Sequence, residues 1–158
     1  MRRDGRPAFL ITLFTVILVA SVSLPYIYAV QSAAPNFVFG GFLLNPMDGN
    51  TYLAKLYQGW RGDWRFTLPY VSEPGQGGYV YMLYIFLGNL ARWTGISTLW
   101  MYHLARLIGA VLLVVAIYRF LIRPLDAGSR PLAIFALALF GSGLGWLAFP
   151  FGAFTSDF

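Results

Sequence analysis

The sequence predicts an all-α protein, a polytopic transmembrane helical module with about three spans and juxtamembrane amphipathic helices between them. Three long apolar runs, at 7–30, 99–122 and 131–153, are the basis of this prediction. A helix rises about 1.5 Å per residue, so about 20 apolar residues cross a hydrocarbon layer of about 30 Å. We therefore expect one module over residues 1–158, with spans at 7–30, 98–122 and 131–153.

The composition nearly excludes a soluble globular domain and argues against a nucleic-acid partner. Hydrophobic residues make up 58% of the chain and charged residues only 11%, which is more apolar than a soluble surface tolerates. The net charge of +5 arises from basic residues scattered near the ends of the apolar runs, as is typical of membrane-flanking positions. Cysteine is absent, which excludes disulfides and thiolate chemistry. We expect membrane lipids, and no nucleic acid, among the partners.

The first apolar run is predicted to remain in place as an N-terminal anchor span. Basic residues precede it and small residues follow at 32–34, features that a cleaved signal peptide shares. The apolar core of a signal peptide has about 7–15 residues, and the run 7–30 is well beyond that length. The basic start places the N-terminus in the cytoplasm, and we expect an integral protein of the bacterial cytoplasmic membrane.

Residues 31–97 are predicted to form an extracytoplasmic loop that contains juxtamembrane helices. Asn45, Pro46 and Asp48 have the form of a helix start, with an N-cap, a proline at the first position and an acid in the first turn. The helix is predicted to end at Gly59 or Gly62. Four apolar residues recur at helical spacing and predict an amphipathic helix at the membrane surface: Leu53, Leu56, Tyr57 and Trp60.

A second helix is predicted over 79–93, after a turn-rich loop at 73–78. Its apolar core is short, so a crossing and an interfacial position both remain open. The interfacial position keeps three arginines in the cytoplasm and is favoured by the positive-inside bias: Arg119, Arg123 and Arg130.

Sparse polar residues beside the apolar helices are the candidates for chemistry. The sequence has no nucleotide-binding glycine loop, and His103 is its only histidine. If the second helix is interfacial, Asp48, Glu73 and Asp157 all face the extracytoplasmic side. Arg106 lies inside an apolar run, where an unpaired charge is costly, so it needs a partner or a functional role.

The order of features along the chain is the basis of a family resemblance. After the first span come an acid with a Tyr-Ala helix at 48–54, a Gly-Asp-Trp stretch at 62–64 and an acid before a proline at Glu73. Arg106 then lies near the start of a span, and Asp157 precedes an aromatic residue. This order resembles the GT-C superfamily of polytopic glycosyltransferases, which includes protein mannosyltransferases and the aminoarabinose transferase of lipid A. The resemblance covers most of the chain.

The resemblance implies transfer of a sugar from a polyprenyl-phosphate donor to an unknown acceptor on the extracytoplasmic face. It implies that Asp48, Glu73 and Arg106 belong to the site, with Asp48 and Glu73 as the catalytic residues. Independently of the resemblance, Arg106 can bind phosphate oxygens through charge-assisted hydrogen bonds, and His103 lies one helical turn earlier on the same face. Asp48 and Asp157 would then hold a divalent cation, Mg²⁺ or Mn²⁺. We expect the chain to be the N-terminal part of a larger protein. The alternative is a non-enzymatic membrane protein, a transporter subunit or an assembly scaffold, whose acids are helix caps and turns.

Overall fold

The computed structural model of this chain describes residues 6–36, 38–43, 45–124 and 130–141. Those residues form an all-helical structure, as predicted. Asp157 and most of the predicted span 131–153 lie outside the described residues, so the third span and this acid stay predictions. The helices are α1 (Arg6–Gln31), α2 (Pro46–Arg61), α3 (Met82–Thr94), α4 (Thr98–Ile117), which continues as a π-helical turn (Tyr118–Ile122), and α5 (Pro131–Phe140).

Two of the described helices are long and apolar enough to cross a membrane. Phe9–Gln31 has 23 residues and Thr98–Ile122 has 25, and each has a mean hydropathy of 2.2. Only 6% and 11% of their apolar windows are buried inside the protein, whereas the core helix of a soluble protein is mostly buried. The first helix lies near the N-terminus, where a signal sequence has the same character. Both helices coincide with predicted spans.

Helix α3 is too short to cross a bilayer. Its 13 residues extend about 20 Å, against a hydrocarbon layer of about 30 Å. It begins three residues later than predicted, because Tyr81 takes a left-handed conformation with φ 55°. The Tyr81 carbonyl then accepts the first hydrogen bonds of the helix, from the N–H groups of Tyr84 and Ile85.

The chain divides into two compact units. The terminal unit comprises Met1–Ala20 and Ala110–Phe158, and the central unit comprises Ser21–Gly109. In the described part of the terminal unit, the fully buried ring of Phe135 meets Phe14 of α1 edge to face, with centroids 4.4 Å apart. This aromatic pair fixes α5 against the first half of α1.

In the central unit, α2 and α3 approach each other closely at two glycines. A Cβ added at Gly59 would overlap the carbonyl oxygen of Ile85. A Cβ added at Gly88 would overlap the carbonyl oxygen of Leu56 and lie 2.9 Å from the Cα of Gly59. Because the glycines lack side chains, the two backbones touch, and Leu56 and Ile85 are fully buried beside the contact.

The contacts along α2 and α3 show that the two helices run in the same direction. Tyr52 stacks on Tyr84 near the start of α3, with centroids 5.2 Å apart. Trp64, just after α2, lies 6.4 Å from Trp93 at the end of α3. A parallel pair needs a long return connection, and residues 62–81 provide it.

The packed face of α2 differs in part from the apolar face predicted for it. Leu56 is buried against α3, but Tyr57 and Trp60 are 52% and 42% exposed and stack on each other, with centroids 5.5 Å apart. The close approach to α3 leaves no room for a side chain at position 59, and Gly59 is buried in the contact. Of the two predicted helix ends, Gly59 and Gly62, the helix ends at Gly62, whose φ is 103°. A membrane-surface position for α2 stays a prediction.

Candidate functional site

A cavity of about 560 Å³ lies in the central unit, between the C-terminal part of α1, the segment 38–43 and the first half of α4. Its volume falls in the range of about 300–1,000 Å³ that is typical of small-molecule sites. Apolar side chains form most of its wall, and none of the described residues that line it is acidic. The polar side chains of the lining are Ser23, Tyr26, Gln31, His103 and Arg106.

Arg106 is the only charged residue among the described residues that line the cavity. Its Nη1 donates a hydrogen bond to the carbonyl oxygen of Val22 at 2.8 Å, and its guanidinium carbon lies 4.0 Å from the ring centroid of Tyr26. The described residues form one ion pair, between Arg61 and Asp63, so no described carboxylate neutralises Arg106. A carbonyl dipole and an aromatic face therefore stabilise this cation in an apolar helix.

A proline in α1 lies beside the Arg106 contact. Pro25 has no N–H and interrupts the hydrogen-bond ladder of the helix. Val22, whose carbonyl accepts from Arg106, lies three residues before it. Neighbouring side chains commonly satisfy the backbone groups that a proline frees in an apolar helix. The carbonyl that Pro25 leaves without its helical donor is that of Ser21, so Arg106 binds the adjacent carbonyl, that of Val22, and connects α4 to α1 at this irregular turn.

Three buried polar atoms around the cavity have no hydrogen-bond partner among the described residues: Ser23 Oγ, His103 Nδ1 and Arg106 Nε. Buried polar groups are normally paired, and each unpaired one costs about 1–3 kcal/mol. A hydroxyl, an imidazole and a guanidinium can all donate hydrogen bonds. Arg106 is the cation among them, and a cation with donors on neighbouring residues suits an anionic, acceptor-rich group such as a phosphate.

His103 and Arg106 share one cavity, as their spacing on a helix predicts. The His103 ring packs among aromatic side chains, with centroid distances of 5.1 Å to Tyr26 and 6.2 Å to Phe42. This packing fixes the imidazole at the edge of the cavity. The predicted substrate-binding pair is therefore brought together in one cavity, and its binding of a lipid phosphate stays a prediction.

Asp48 lies in an exposed position in the first turn of α2 and does not line the cavity. Its Oδ2 accepts a hydrogen bond from Asn45 Nδ2 at 2.5 Å. Asn45 is the N-cap residue of the helix, as predicted, but it is left-handed and its side chain forms no cap hydrogen bond. Its carbonyl instead accepts from the N–H groups of Asp48 and Gly49.

Glu73 is exposed in the loop between α2 and α3, and it does not line the cavity either. In the part of the chain that the structure describes, no group of three or more His, Cys, Asp or Glu side chains is arranged to hold a metal ion. Asp157, the second predicted metal ligand, lies outside the described residues. A divalent cation therefore stays a prediction.

Sequence reasoning missed the residues that α1 contributes to the cavity. Ser23 and Tyr26 lie on both sides of Pro25 in an otherwise apolar helix. A hydroxyl, a phenol and a proline within four residues are the signal that marks this turn, because polar residues inside apolar spans are commonly functional.

Comparison with known protein families, with curated proteins and with solved structures finds no match to this chain. The resemblance to GT-C glycosyltransferases consequently rests on the order of sequence features alone.

Proposed function

We propose that this protein is an integral protein of the bacterial cytoplasmic membrane, with a cytoplasmic N-terminus, that binds a polyprenyl phosphate in the cavity between α1 and α4. One observation supports the proposal above all: Arg106, the one charged side chain among the described lining residues, and two unpaired polar atoms, Ser23 Oγ and His103 Nδ1, border a cavity whose wall is mostly apolar. A guanidinium forms charge-assisted hydrogen bonds with phosphate oxygens. Apolar walls suit the hydrocarbon chain of the same ligand.

The activity that this site would serve is sugar transfer by a glycosyltransferase of the GT-C kind on the extracytoplasmic face. The bond between the sugar carbon and the phosphate oxygen breaks, and a bond from that carbon to an acceptor oxygen forms. Asp48 and Glu73 lie outside the cavity lining, so in this proposal they act on the part of the substrate and on the acceptor that extend beyond it: Asp48 takes the acceptor proton as general base, and Glu73 orients the substrate. Arg106 stabilises the negative charge on the departing lipid phosphate.

The catalytic part of the proposal is tested with Asp48→Asn, which removes the carboxylate and keeps the size of the side chain. Asp63→Asn is the matched control, since Asp63 is a half-exposed acid just after α2, and among the described residues its carboxylate pairs only with Arg61, at 3.1 Å. The protein is reconstituted with a lipid-linked sugar, and transfer to acceptors is measured. We expect Asp48→Asn to insert normally and lose transfer, and Asp63→Asn to keep it. Normal turnover by Asp48→Asn would refute the assigned base.

One observation favours the non-enzymatic alternative. Arg106 contacts two positions of α1, the carbonyl of Val22 and the ring of Tyr26. A residue that connects two helices in this way suits an assembly scaffold as well as a ligand site. A scaffold would bind polyprenyl phosphate no better than the uncharged polyprenol, whereas the proposed site prefers the phosphate.

A further inference from the structure

The loop between α2 and α3 presents apolar side chains that the described part of the chain leaves uncovered. We call residues 68–71 the loop tip. Leu68 is 57% exposed, Tyr70 81% and Val71 46%. An exposed apolar cluster of this kind commonly marks a contact with a partner or a membrane.

The base of the loop is held by paired hydrogen bonds. Gln58 of α2 is buried, its Nε2 donates to the carbonyl oxygen of Thr67 at 2.8 Å, and its Oε1 accepts from the Thr67 N–H at 2.9 Å. We call these two hydrogen bonds the Gln58–Thr67 clasp. Next to it, Phe66 and Gly78 exchange two backbone hydrogen bonds of 2.8 and 2.9 Å. The two arms of the loop are thereby joined to each other and to α2.

Side-chain packing also holds the base of the loop in place. Phe66 is 8% exposed and meets the ring of Tyr81 edge to face, with centroids 5.0 Å apart. Gly77 has a φ of 69°, and a Cβ there would lie 2.8 Å from the carbonyl oxygen of Phe66. Because the base is fixed in this way, the tip projects from it and does not fold back to bury its apolar side chains.

The residues beside the tip have the character of a membrane interface. Arg65 Nε donates a hydrogen bond to the hydroxyl of Tyr79 at 3.4 Å, and the guanidinium carbon lies 5.4 Å from the Tyr79 ring centroid. Tyr79 is itself 67% exposed. Tyrosine and arginine combine an apolar body with a polar end, which suits the headgroup level of a bilayer.

We propose that the loop tip inserts into the interfacial region of the bilayer, with Arg65 and Tyr79 at the level of the lipid headgroups. This contact is separate from the two membrane-length helices, and it rests on the membrane location proposed above. A lipid surface fits better than a second copy of the chain. A stable protein interface buries about 800 Å² on each partner, whereas even a large aromatic side chain buries only about 150–250 Å², so Leu68, Tyr70 and Val71 are too few.

The absence of native cysteine permits a direct test with a thiol-linked, polarity-sensitive dye. Val71→Cys places the dye at the tip, and Gln76→Cys, at an exposed polar position of the same loop, is the matched control. The labelled protein is reconstituted into vesicles of phosphatidylcholine and phosphatidylglycerol. We expect the dye at Val71 to emit at shorter wavelength and to be quenched by lipids brominated near the headgroup. We expect the dye at Gln76 to be quenched by aqueous iodide.

Three other results would overturn the proposal, and they differ from one another. If iodide quenches both dyes equally while the protein floats with the vesicles, the tip lies in water and the membrane location stands. If neither iodide nor the brominated lipids quench the dye at Val71, and iodide begins to quench it when added lipid dilutes the protein in the membrane, the tip contacts a second copy of the chain. If the protein does not float with the vesicles, the membrane location itself fails.

Discussion

Gly88→Ala is expected to force α2 and α3 apart. A Cβ at Gly88 would overlap the carbonyl oxygen of Leu56 and lie 2.8 Å from the backbone nitrogen of Trp60 and 2.9 Å from the Cα of Gly59. All three atoms belong to the backbone of α2, so no side-chain rotation relieves the overlap. The helices must separate, and Leu56 then loses part of its packing.

The magnitude follows from two opposing effects. Overpacking costs about 1–3 kcal/mol, and contact with backbone atoms puts this site at the upper end. Alanine gains at most about 1 kcal/mol over glycine in helix propensity. The net loss is therefore about 2 kcal/mol. Gly109→Ala in α4 is the matched control, because nothing lies within 4 Å of its added Cβ; only the propensity gain of at most about 1 kcal/mol applies there.

The free energy of unfolding is measured by titrating purified protein in mixed micelles with dodecyl sulfate, with tryptophan fluorescence as the signal. We expect Gly88→Ala to unfold at lower dodecyl sulfate than wild type, and Gly109→Ala to unfold at equal or higher concentration. If Gly88→Ala is as stable as Gly109→Ala, the close crossing of α2 and α3 is refuted.

Three further predictions concern the central unit. Gln58→Ala leaves the backbone of Thr67 without its partners, so we expect a loss of about 1–3 kcal/mol and faster hydrogen exchange at the Thr67 amide; unchanged exchange would refute the clasp. Lys55 Nζ lies 4.1 Å from the ring centroid of Tyr81, so Lys55→Gln should cost about 0.5–1 kcal/mol in the same titration, and no change would show that the contact is dispensable. Burial raises the pKa of the Tyr84 hydroxyl above its ordinary value of 10.0. The native protein therefore keeps the phenolic proton at a pH at which the unfolded chain has lost it. The free energy of unfolding should be unaffected by this group below about pH 10 and should fall as the pH rises through the native pKa. Tyr84→Phe should reduce that alkaline loss, and an unchanged loss would contradict the assignment.

Local signals in the sequence predicted the helices well. The length of the apolar runs placed the helices that became α1 and α4, and a proline at the first helical position marked the start of α2 at Pro46. The start of α3 was missed, because a left-handed tyrosine such as Tyr81 has no sequence signature. Gly59 was predicted as a possible helix end, but it is buried at the crossing with α3, a contact that only the folded pair reveals.

The candidate site was predicted only on the side of α4. The spacing of His103 and Arg106 identified two residues that share the cavity. Their partners lie far away in the chain: Val22, whose carbonyl accepts from Arg106, is 84 positions earlier. Periodicity within one helix carries no information about such a pairing. Ser23 was missed for a different reason: the local signal, a polar residue beside Pro25 in an apolar run, was present but was not used.

The central claim is that Arg106 and its unpaired neighbours recognise the phosphate of a lipid. Native mass spectrometry of the purified protein measures it most directly, by comparing polyprenyl phosphate with the polyprenol of the same chain length. Hydrogen bonds to a charged group contribute about 1.5–3 kcal/mol, which corresponds to a preference of about tenfold to a hundredfold for the phosphate.

Two variants complete this measurement. We expect Arg106→Gln to bind the phosphate and the alcohol equally. Ser23→Ala, which changes one small side chain, should fold normally and show a reduced preference. We expect wild type to prefer the phosphate and Arg106→Gln to lose that preference. Equal binding of the two lipids by wild type, or an undiminished preference in Arg106→Gln, would contradict it.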